Sequence, residues 1–274
     1  MFEGYGFFDY KYNIEGYSGQ DYDGFGRPLY MCLSLFLLVV FAIIFRKAKK
    51  ENILKYLRIS GIVYIALYII KTVWESYFDI TTGRGFNVYI LPFDTCSIVM
   101  LASVLAGFSK GKVKDAATGW LVVGGIVGGL SNIFFLRALN YYPFFTFGAL
   151  YSMLWHFFMT FTGVLLIITD YVKLDFKTIF YAFIFHLSYS IPVIILDYVY
   201  GWDYMLYYNA GGAPFIEDVA SNLINNNLRF VATLMMIMIY FALFATIIYV
   251  SYGIKRTIKS IIHKKQEEIA YNLE

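Results

Sequence analysis

Long apolar blocks are the feature that most constrains how this chain can fold. Seven stretches carry few charged residues and lie at residues 29–45, 59–78, 88–108, 116–136, 148–169, 178–196 and 228–252. Each is roughly twenty residues long and, at about 1.5 Å per helical residue, can cross a hydrocarbon core about 30 Å thick. The sequence therefore predicts an all-α, polytopic membrane protein with about seven transmembrane helices.

Composition agrees with lipid as the solvent for most of the chain. Of the 274 residues, 59% are hydrophobic and only 15% are charged, whereas soluble domains carry about 25% charged residues. The formal net charge of +3 is too small to indicate a nucleic-acid partner, and the basic residues lie in short clusters between the apolar blocks. Membrane lipids are therefore the predicted partners, and no nucleic acid is expected.

The basic clusters predict the orientation of the spans. They follow spans one, three, five and seven, at residues 46–58, 110–114, 173–177 and 255–265. Such connections stay on the cytoplasmic side of a membrane. The prediction is a multi-pass protein of the cell membrane, with its N-terminus outside and its C-terminus cytoplasmic. Its parts are an extracytoplasmic segment at 1–28, a transmembrane domain at 29–252 and a cytoplasmic basic tail at 253–274.

Ionisable and nucleophilic side chains inside the spans are functional candidates, because lipid excludes such groups unless they face protein or water. The candidates are Lys71, Glu75, Asp94, Cys96, His156 and His186. Counted at about 1.5 Å per residue from the outer end of each span, Lys71, Cys96 and His156 lie at ~12 Å depth. Glu75 lies nearer the outer surface and His186 nearer the midplane. Similar depths on four helices predict one polar pocket open to the outer side.

Cys96 and His156 can act together as a nucleophile and its base. An imidazole can take the thiol proton, and the resulting thiolate can attack an ester carbonyl. Each residue also has a structural interpretation, Cys96 as a small buried hydrophobe and His156 as a hydrogen-bonding partner of a neighbouring helix. Lys71 and Glu75 are four residues apart on one helix face, so they either bind substrate or neutralise each other.

Several other kinds of chemistry are not expected. The three histidines and two cysteines show no metal-ligand spacing, so the sequence predicts no metal site and no cofactor. No P-loop or Rossmann glycine pattern follows a strand, which argues against nucleotide-driven transport. Span seven contains no lysine that could hold retinal as a Schiff base.

The longest connection runs from about Asp197 to Arg229, is rich in aromatic residues and carries a Gly-Gly-Ala-Pro turn at residues 211–214. Such a loop is often a cap over a site, and the alternative is an aromatic belt at the membrane interface. The candidate substrate-binding residues are Asn209 in this loop, Ser152 in span five, Lys71, Glu75 and His186.

Span four contains two overlapping GxxxG pairs, formed by Gly124, Gly125, Gly128 and Gly129. Glycines at this spacing let the backbone of a neighbouring helix approach closely. Their predicted role is helix packing, and we assign them no function.

Two segments of the chain resemble a known family. The stretch Tyr89-Ile-Leu-Pro-Phe-Asp-Thr-Cys96 is similar to the Leu-Pro-Leu-His-Leu-Cys signature of the YwaF-like membrane proteins, which include the animal transmembrane protein 164. Residues 142–156, YPFFTFGALYSMLWH, resemble that family's aromatic-rich loop and the following helix that ends in histidine. A shorter likeness covers residues 202–206, and the whole resemblance runs from about Ile70 to Tyr252.

The resemblance implies a fold of six to seven helices in which a cysteine and a histidine act as an acyltransferase pair on phospholipids. Cys96 and His156 occupy those places here. Asp94 stands where the family has histidine, and as the third catalytic candidate it would either orient a histidine or oppose a thiolate by like charge. Thr95 is a fallback nucleophile, because related animal membrane hydrolases pair a threonine with a histidine.

The sequence leaves three functions open. The first is a membrane acyltransferase or lipid hydrolase that acts on a phospholipid or lysophospholipid. The second is a transporter or binding protein for a small solute, with the polar residues along its path. Span six, which contains Pro192, is the expected broken helix, and no inverted repeat is visible. The third is a structural subunit, and the oligomeric state is not predicted.

Overall fold

The computed structural model describes residues 6–10, 26–135, 142–143, 145–209 and 216–271. Over these residues the chain is helical and contains no strand. The helices are α1 Gly26–Phe45, α2 Lys50–Thr81, α3 Ile98–Phe108, α4 Gly111–Phe135, α5 Phe147–Ile168, α6 Phe176–Tyr200, α7 Glu217–Asn225 and α8 Arg229–Tyr271. Seven segments of the described chain are long and apolar enough to cross a membrane. The predicted fold class is confirmed, and the chain is a multi-pass membrane protein.

Successive spans run in opposite directions, which gives the bundle two ends. We call the end at which α1 begins, α2 ends and α5 begins the N-terminal face, and the opposite end, with the basic connections at 46–49, 109–110 and 169–175, the basic face. The assignment of the basic face to the cytoplasm stays a prediction from charge.

Two helices extend beyond their predicted ends into charged sequence. α2 begins at Lys50, and its first turns are anchored by Arg58, whose Nε donates a 2.8 Å hydrogen bond to the carbonyl oxygen of Gly107 near the end of α3. A cation at that position stabilises the negative end of α3. α8 continues without a break to Tyr271, so the predicted boundary at residue 253 does not interrupt the helix.

The third span is broken, although a continuous helix was expected over 88–108. Two 3₁₀ turns, Val88–Ile90 and Thr95–Ser97, precede α3, whose eleven residues measure about 16 Å. Leu91 is extended because it precedes Pro92, and this ends the first turn. The prediction that span six is the broken one is wrong, since α6 continues through Pro192. Transmembrane helices tolerate an internal proline when neighbouring groups satisfy the freed carbonyl.

Backbone carbonyls in the broken span receive hydrogen bonds from side chains elsewhere in the fold. Lipid cannot satisfy such groups, so irregular backbone at membrane depth needs protein or water around it. The donors are Tyr204 Oη to Val88 O, Tyr68 Oη to Ile90 O at 2.6 Å, Tyr189 Oη to Pro92 O, and Trp155 Nε1 to Cys96 O at 3.2 Å. These bonds hold Cys96 in a turn that its own helix does not stabilise.

Close packing of α4 on α5 fixes the position of His156. A Cβ atom added at Gly129 would collide with Thr160 Oγ1 and lie 2.7 Å from the carbonyl oxygen of His156. One added at Gly125 would lie 2.8 Å from the carbonyl oxygen of Met159. The packing interpretation of the GxxxG pairs is confirmed at these two glycines.

Candidate active site

A cavity of about 900 Å³ lies between α2, the broken third span, α4, α5 and α8. Its lining along α2 extends from Asp79 to Tyr68, about 16 Å of helix. Arg84 and Gly85, both exposed, lie at its mouth on the N-terminal face. Six of the eight predicted catalytic and substrate-binding residues line this one cavity, namely Lys71, Glu75, Asp94, Cys96, Ser152 and His156. Thr95, the fallback nucleophile, lines it as well.

Cys96 and His156 are in direct contact inside this cavity. Cys96 lies in the 3₁₀ turn that precedes α3, His156 lies in α5, and the distance from Sγ to Nε2 is 3.2 Å. The other ring nitrogen, Nδ1, lies 2.7 Å from the carbonyl oxygen of Ser152. A carbonyl only accepts hydrogen bonds, so Nδ1 carries the proton and Nε2 presents its lone pair to the thiol. The imidazole is therefore arranged to accept the thiol proton.

The backbone around the pair is held from several directions. Thr160 Oγ1 donates to the carbonyl oxygen of His156 at 2.9 Å, and Trp155 Nε1 donates to that of Cys96. Gly128 lines the cavity, and a Cβ there would collide with Met159 Cε at 2.6 Å and lie 3.8 Å from Cys96 Sγ. Because any larger side chain at this position would fill space beside the sulfur, glycine leaves room for a reactant at the thiol.

Two charges of opposite effect act on a Cys96 thiolate. The N-terminal end of α3 carries a partial positive charge that stabilises an anion in the preceding turn. Asp94 lines the same cavity and opposes a second negative charge, although it interacts electrostatically with Lys71. The ring of His156 is oriented by the Ser152 carbonyl, which takes the role that the sequence offered to Asp94.

Lys71 and Glu75 form an ion pair, with 2.6 Å between Nζ and Oε2. Tyr142 Oη also donates to Glu75 Oε1 at 2.5 Å, and only 2% of Glu75 is exposed. The charges of Lys71 and Glu75 therefore neutralise each other, which was one of the two interpretations of their i, i+4 spacing. Asp79, one turn further along α2, is also buried and lines the cavity, and the sequence missed it because the predicted span ended at residue 78.

Replacing Lys71 by methionine should destabilise the fold strongly, because it leaves the buried Glu75 carboxylate without its cation. We expect a loss of about 3 to 5 kcal/mol in the free energy of unfolding. The measurement is reversible unfolding of the protein in mixed micelles. The double variant Lys71→Met with Glu75→Gln is the matched control and should recover most of the loss; a double variant no more stable than the single one contradicts the assignment.

His186 lies outside the cavity, in a separate buried network. Trp120 Nε1 donates to His186 Nδ1 at 3.3 Å, so Nε2 carries the proton and donates to Tyr207 Oη at 3.0 Å. The ring also packs on that of Tyr240, 4.5 Å between centroids. These contacts join α4, α6, α8 and the loop after α6, so the environment of His186 is that of a residue that holds helices together. Counting residues along the span could not predict which side of α6 His186 would occupy.

Asn209 is also outside the cavity lining. It is exposed, and its backbone N–H donates to Asp203 Oδ1 at 2.8 Å. The preceding residues, however, do cover the site, since Asp203, Met205 and Leu206 line it. Tyr240 Oη joins this loop to the broken span through the Met205 carbonyl, at 3.2 Å, and Thr95 Oγ1, at 3.1 Å. The Thr95 hydroxyl is thus hydrogen-bonded to Tyr240, whereas the Cys96 sulfur lies beside the His156 imidazole.

The first part of the aromatic loop, residues 201–209, covers the cavity as a cap would. Tyr204 and Tyr207 are buried, and burial raises the pKa of both hydroxyls above the ordinary tyrosine value, so they remain protonated donors. Buried rings of this kind differ from an interfacial belt, in which one end of the ring stays wet. The Gly-Gly-Ala-Pro turn at 211–214 lies outside the described residues.

Within the described part of the chain, no group of three or more His, Cys, Asp or Glu residues could hold a metal ion. Comparison with protein-family models found no match to the chain, and neither did comparison with curated proteins or with solved structures. The resemblance to the YwaF-like family therefore rests on the residues quoted for it and stays a prediction.

Proposed function

We propose that this protein is a membrane-embedded lipid acyltransferase or lipid hydrolase that uses Cys96 as nucleophile and His156 as general base. The observation that carries the proposal is the 3.2 Å contact between Sγ and Nε2, with Nδ1 held on the Ser152 carbonyl. A thiol and a base within hydrogen-bond reach, with the base oriented by a third group, is the arrangement that activates a nucleophile.

The first half-reaction forms an acyl-enzyme. Nε2 of His156 takes the thiol proton, and the Cys96 thiolate attacks the carbonyl carbon of a phospholipid ester. The C–S bond forms as the C–O bond breaks, and the imidazolium returns its proton to the leaving alkoxide. The products are an acyl thioester on Cys96 and a lysophospholipid.

The second half-reaction distinguishes a transferase from a hydrolase. His156 takes a proton from the hydroxyl of a lysophospholipid or from water, and that oxygen attacks the thioester carbonyl. The C–O bond forms, the C–S bond breaks, and the sulfur recovers the proton from the imidazolium. A lysophospholipid acceptor gives a new phospholipid, whereas water gives a free fatty acid.

Phospholipid is the substrate class that the setting favours. The cavity volume of about 900 Å³ lies within the ~300–1,000 Å³ that small-molecule sites usually occupy. Its mouth is on the N-terminal face, which the basic clusters assign to the outside of the cell membrane. On that topology an ester lipid of the outer leaflet reaches the thiol, while acyl-coenzyme A stays on the cytoplasmic side. The resemblance to the YwaF-like family implies the same chemistry.

A transporter or solute-binding protein is the second candidate, and the broken third span favours it. Irregular backbone between two helical segments, beside charged residues such as Lys71 and Asp94, is typical of substrate sites in secondary transporters. Transport requires no covalent intermediate, so the two candidates differ in what happens at Cys96.

The decisive experiment is to trap the acyl-enzyme. Purified protein is incubated with phospholipid carrying an isotopically labelled acyl chain, quenched with acid and analysed by peptide mass spectrometry. We expect the labelled acyl mass on the peptide that contains Cys96, removable by neutral hydroxylamine because the adduct is a thioester.

The control is Cys96→Ser examined under identical conditions, which should carry no hydroxylamine-labile adduct. Cellular lipid profiles of strains expressing wild-type protein, Cys96→Ser or His156→Ala supply a second readout. If wild-type protein forms no adduct and all three strains have the same lipid acyl profile, the enzyme proposal fails and transport is favoured.

A further inference from the structure

A second hollow, of about 410 Å³, lies near the basic face between α1, α2 and α5. It exists because α1 and α2 each pack on α5 but contact each other little, although only residues 46–49 connect them. Phe41 and Phe45 of α1 face Phe161 of α5, with ring centroids 5.5 and 5.8 Å apart. Tyr56 of α2 closes another side and bonds Thr162 through its hydroxyl at 2.7 Å. The walls are therefore apolar and largely aromatic.

The mouth of this hollow is positively charged. Lys47 and Asn52 line it, and Arg46, Lys49 and Lys50 flank them in the sequence, together with one acid, Glu51. Asp170, just after α5, also interacts with Lys50, but it forms an ion pair with Lys255. The N-terminal end of α2 adds to this field, and its N-cap residue Lys49 has no side-chain acceptor that could cap the helix. The first backbone N–H groups of a helix lack partners inside that helix and favour an anion.

We propose that this hollow binds an anionic phospholipid, with one acyl chain lying against the wall formed by Phe41, Phe45 and Phe161 and the phosphate at Lys47 and Asn52. An apolar slot with a basic mouth matches the two ends of such a lipid. The site is independent of Cys96 and lies at the opposite end of the bundle.

Native mass spectrometry of the full-length protein in a nonionic detergent tests this proposal. The protein is titrated with phosphatidylglycerol and, separately, with phosphatidylcholine of identical acyl chains. We expect phosphatidylglycerol to bind more tightly, and Lys47→Gln to weaken its binding about fivefold, the value expected for one lysine near a lipid phosphate. The same variant should weaken phosphatidylcholine binding less, because the choline cation of that headgroup offsets the charge of its phosphate.

The matched control is Lys112→Gln, which removes the same charge from the same face of the bundle, in the first turn of α4. It should bind both lipids as the wild type does. Ala48→Phe, which places a ring in the hollow, should reduce the binding of both lipids. Equal affinity of the wild type for the two lipids, or equal effects of Lys47→Gln and Lys112→Gln, overturns the proposal. Conversion of a dimer to a monomer by Ala48→Phe, with lipid binding intact, also overturns it and assigns the hollow to a second copy.

Discussion

Replacing Cys96 by alanine will reduce the rate of acyl transfer from phospholipid by about 10⁴-fold or more, to the level of protein-free vesicles. On the proposed mechanism the loss is this large because the sulfur forms the covalent bond to the acyl group, and the alanine methyl cannot replace it. The measurement is release of lysophospholipid from vesicles that contain the purified protein, followed by lipid mass spectrometry.

Cys32→Ala is the matched control, because Cys32 is the other cysteine of the chain and lies exposed on α1. It should retain the wild-type rate and the wild-type unfolding temperature. Activity that survives in Cys96→Ala but disappears in Thr95→Val would transfer the nucleophile to the neighbouring hydroxyl. Activity that survives in both variants would remove this turn from the mechanism.

Replacing His156 by glutamine will slow both acyl transfer and alkylation of Cys96 by about 10²- to 10⁴-fold near neutral pH, the usual contribution of a positioned general base. Glutamine can still form hydrogen bonds, but it cannot take the thiol proton. Raising the pH should restore part of the alkylation rate, because hydroxide then removes that proton. The rate of modification by iodoacetamide as a function of pH provides this measurement.

His263→Gln serves as the comparison, since His263 is exposed in the C-terminal part of α8. In His263→Gln, Cys96 should be alkylated at the wild-type rate at every pH. Rescue at alkaline pH separates a base from a structural histidine, because hydroxide cannot repair a displaced helix. If Cys96 in His156→Gln is alkylated at the wild-type rate, the imidazole does not activate the thiol and the proposed mechanism is wrong.

Hydropathy predicted the number and type of the membrane-spanning segments, because lipid requires each of them to be a run of about twenty mostly apolar residues. It could not predict the break in the third span, because the carbonyls there are satisfied by Tyr68, Trp155, Tyr189 and Tyr204 rather than by their own helix. Pro92 and Pro192 each lie four residues from the end of a predicted span, and only Pro192 was interpreted as a break. Tertiary hydrogen bonds decided between the two prolines.

Counting residues gave the depth of each candidate side chain but not its direction around the helix. Cys96 and His156 were expected at one depth, and their contact depends on how closely Gly125 and Gly129 bring α4 to α5. His186 was placed near the same depth and turned out to face Trp120 and Tyr207. Direction follows from packing between helices, which a single sequence expresses only weakly.

The broken third span has a consequence for how the protein is made. Three of the groups that bond its carbonyls are synthesised 59, 97 and 116 residues after the carbonyls themselves. When this segment leaves the ribosome it is a short helix preceded by unsatisfied peptide groups, a poor substrate for stable insertion on its own. Its final placement must therefore wait until α5, α6 and the loop after α6 have been translated, which makes the turn that carries Cys96 among the last parts of the molecule to mature.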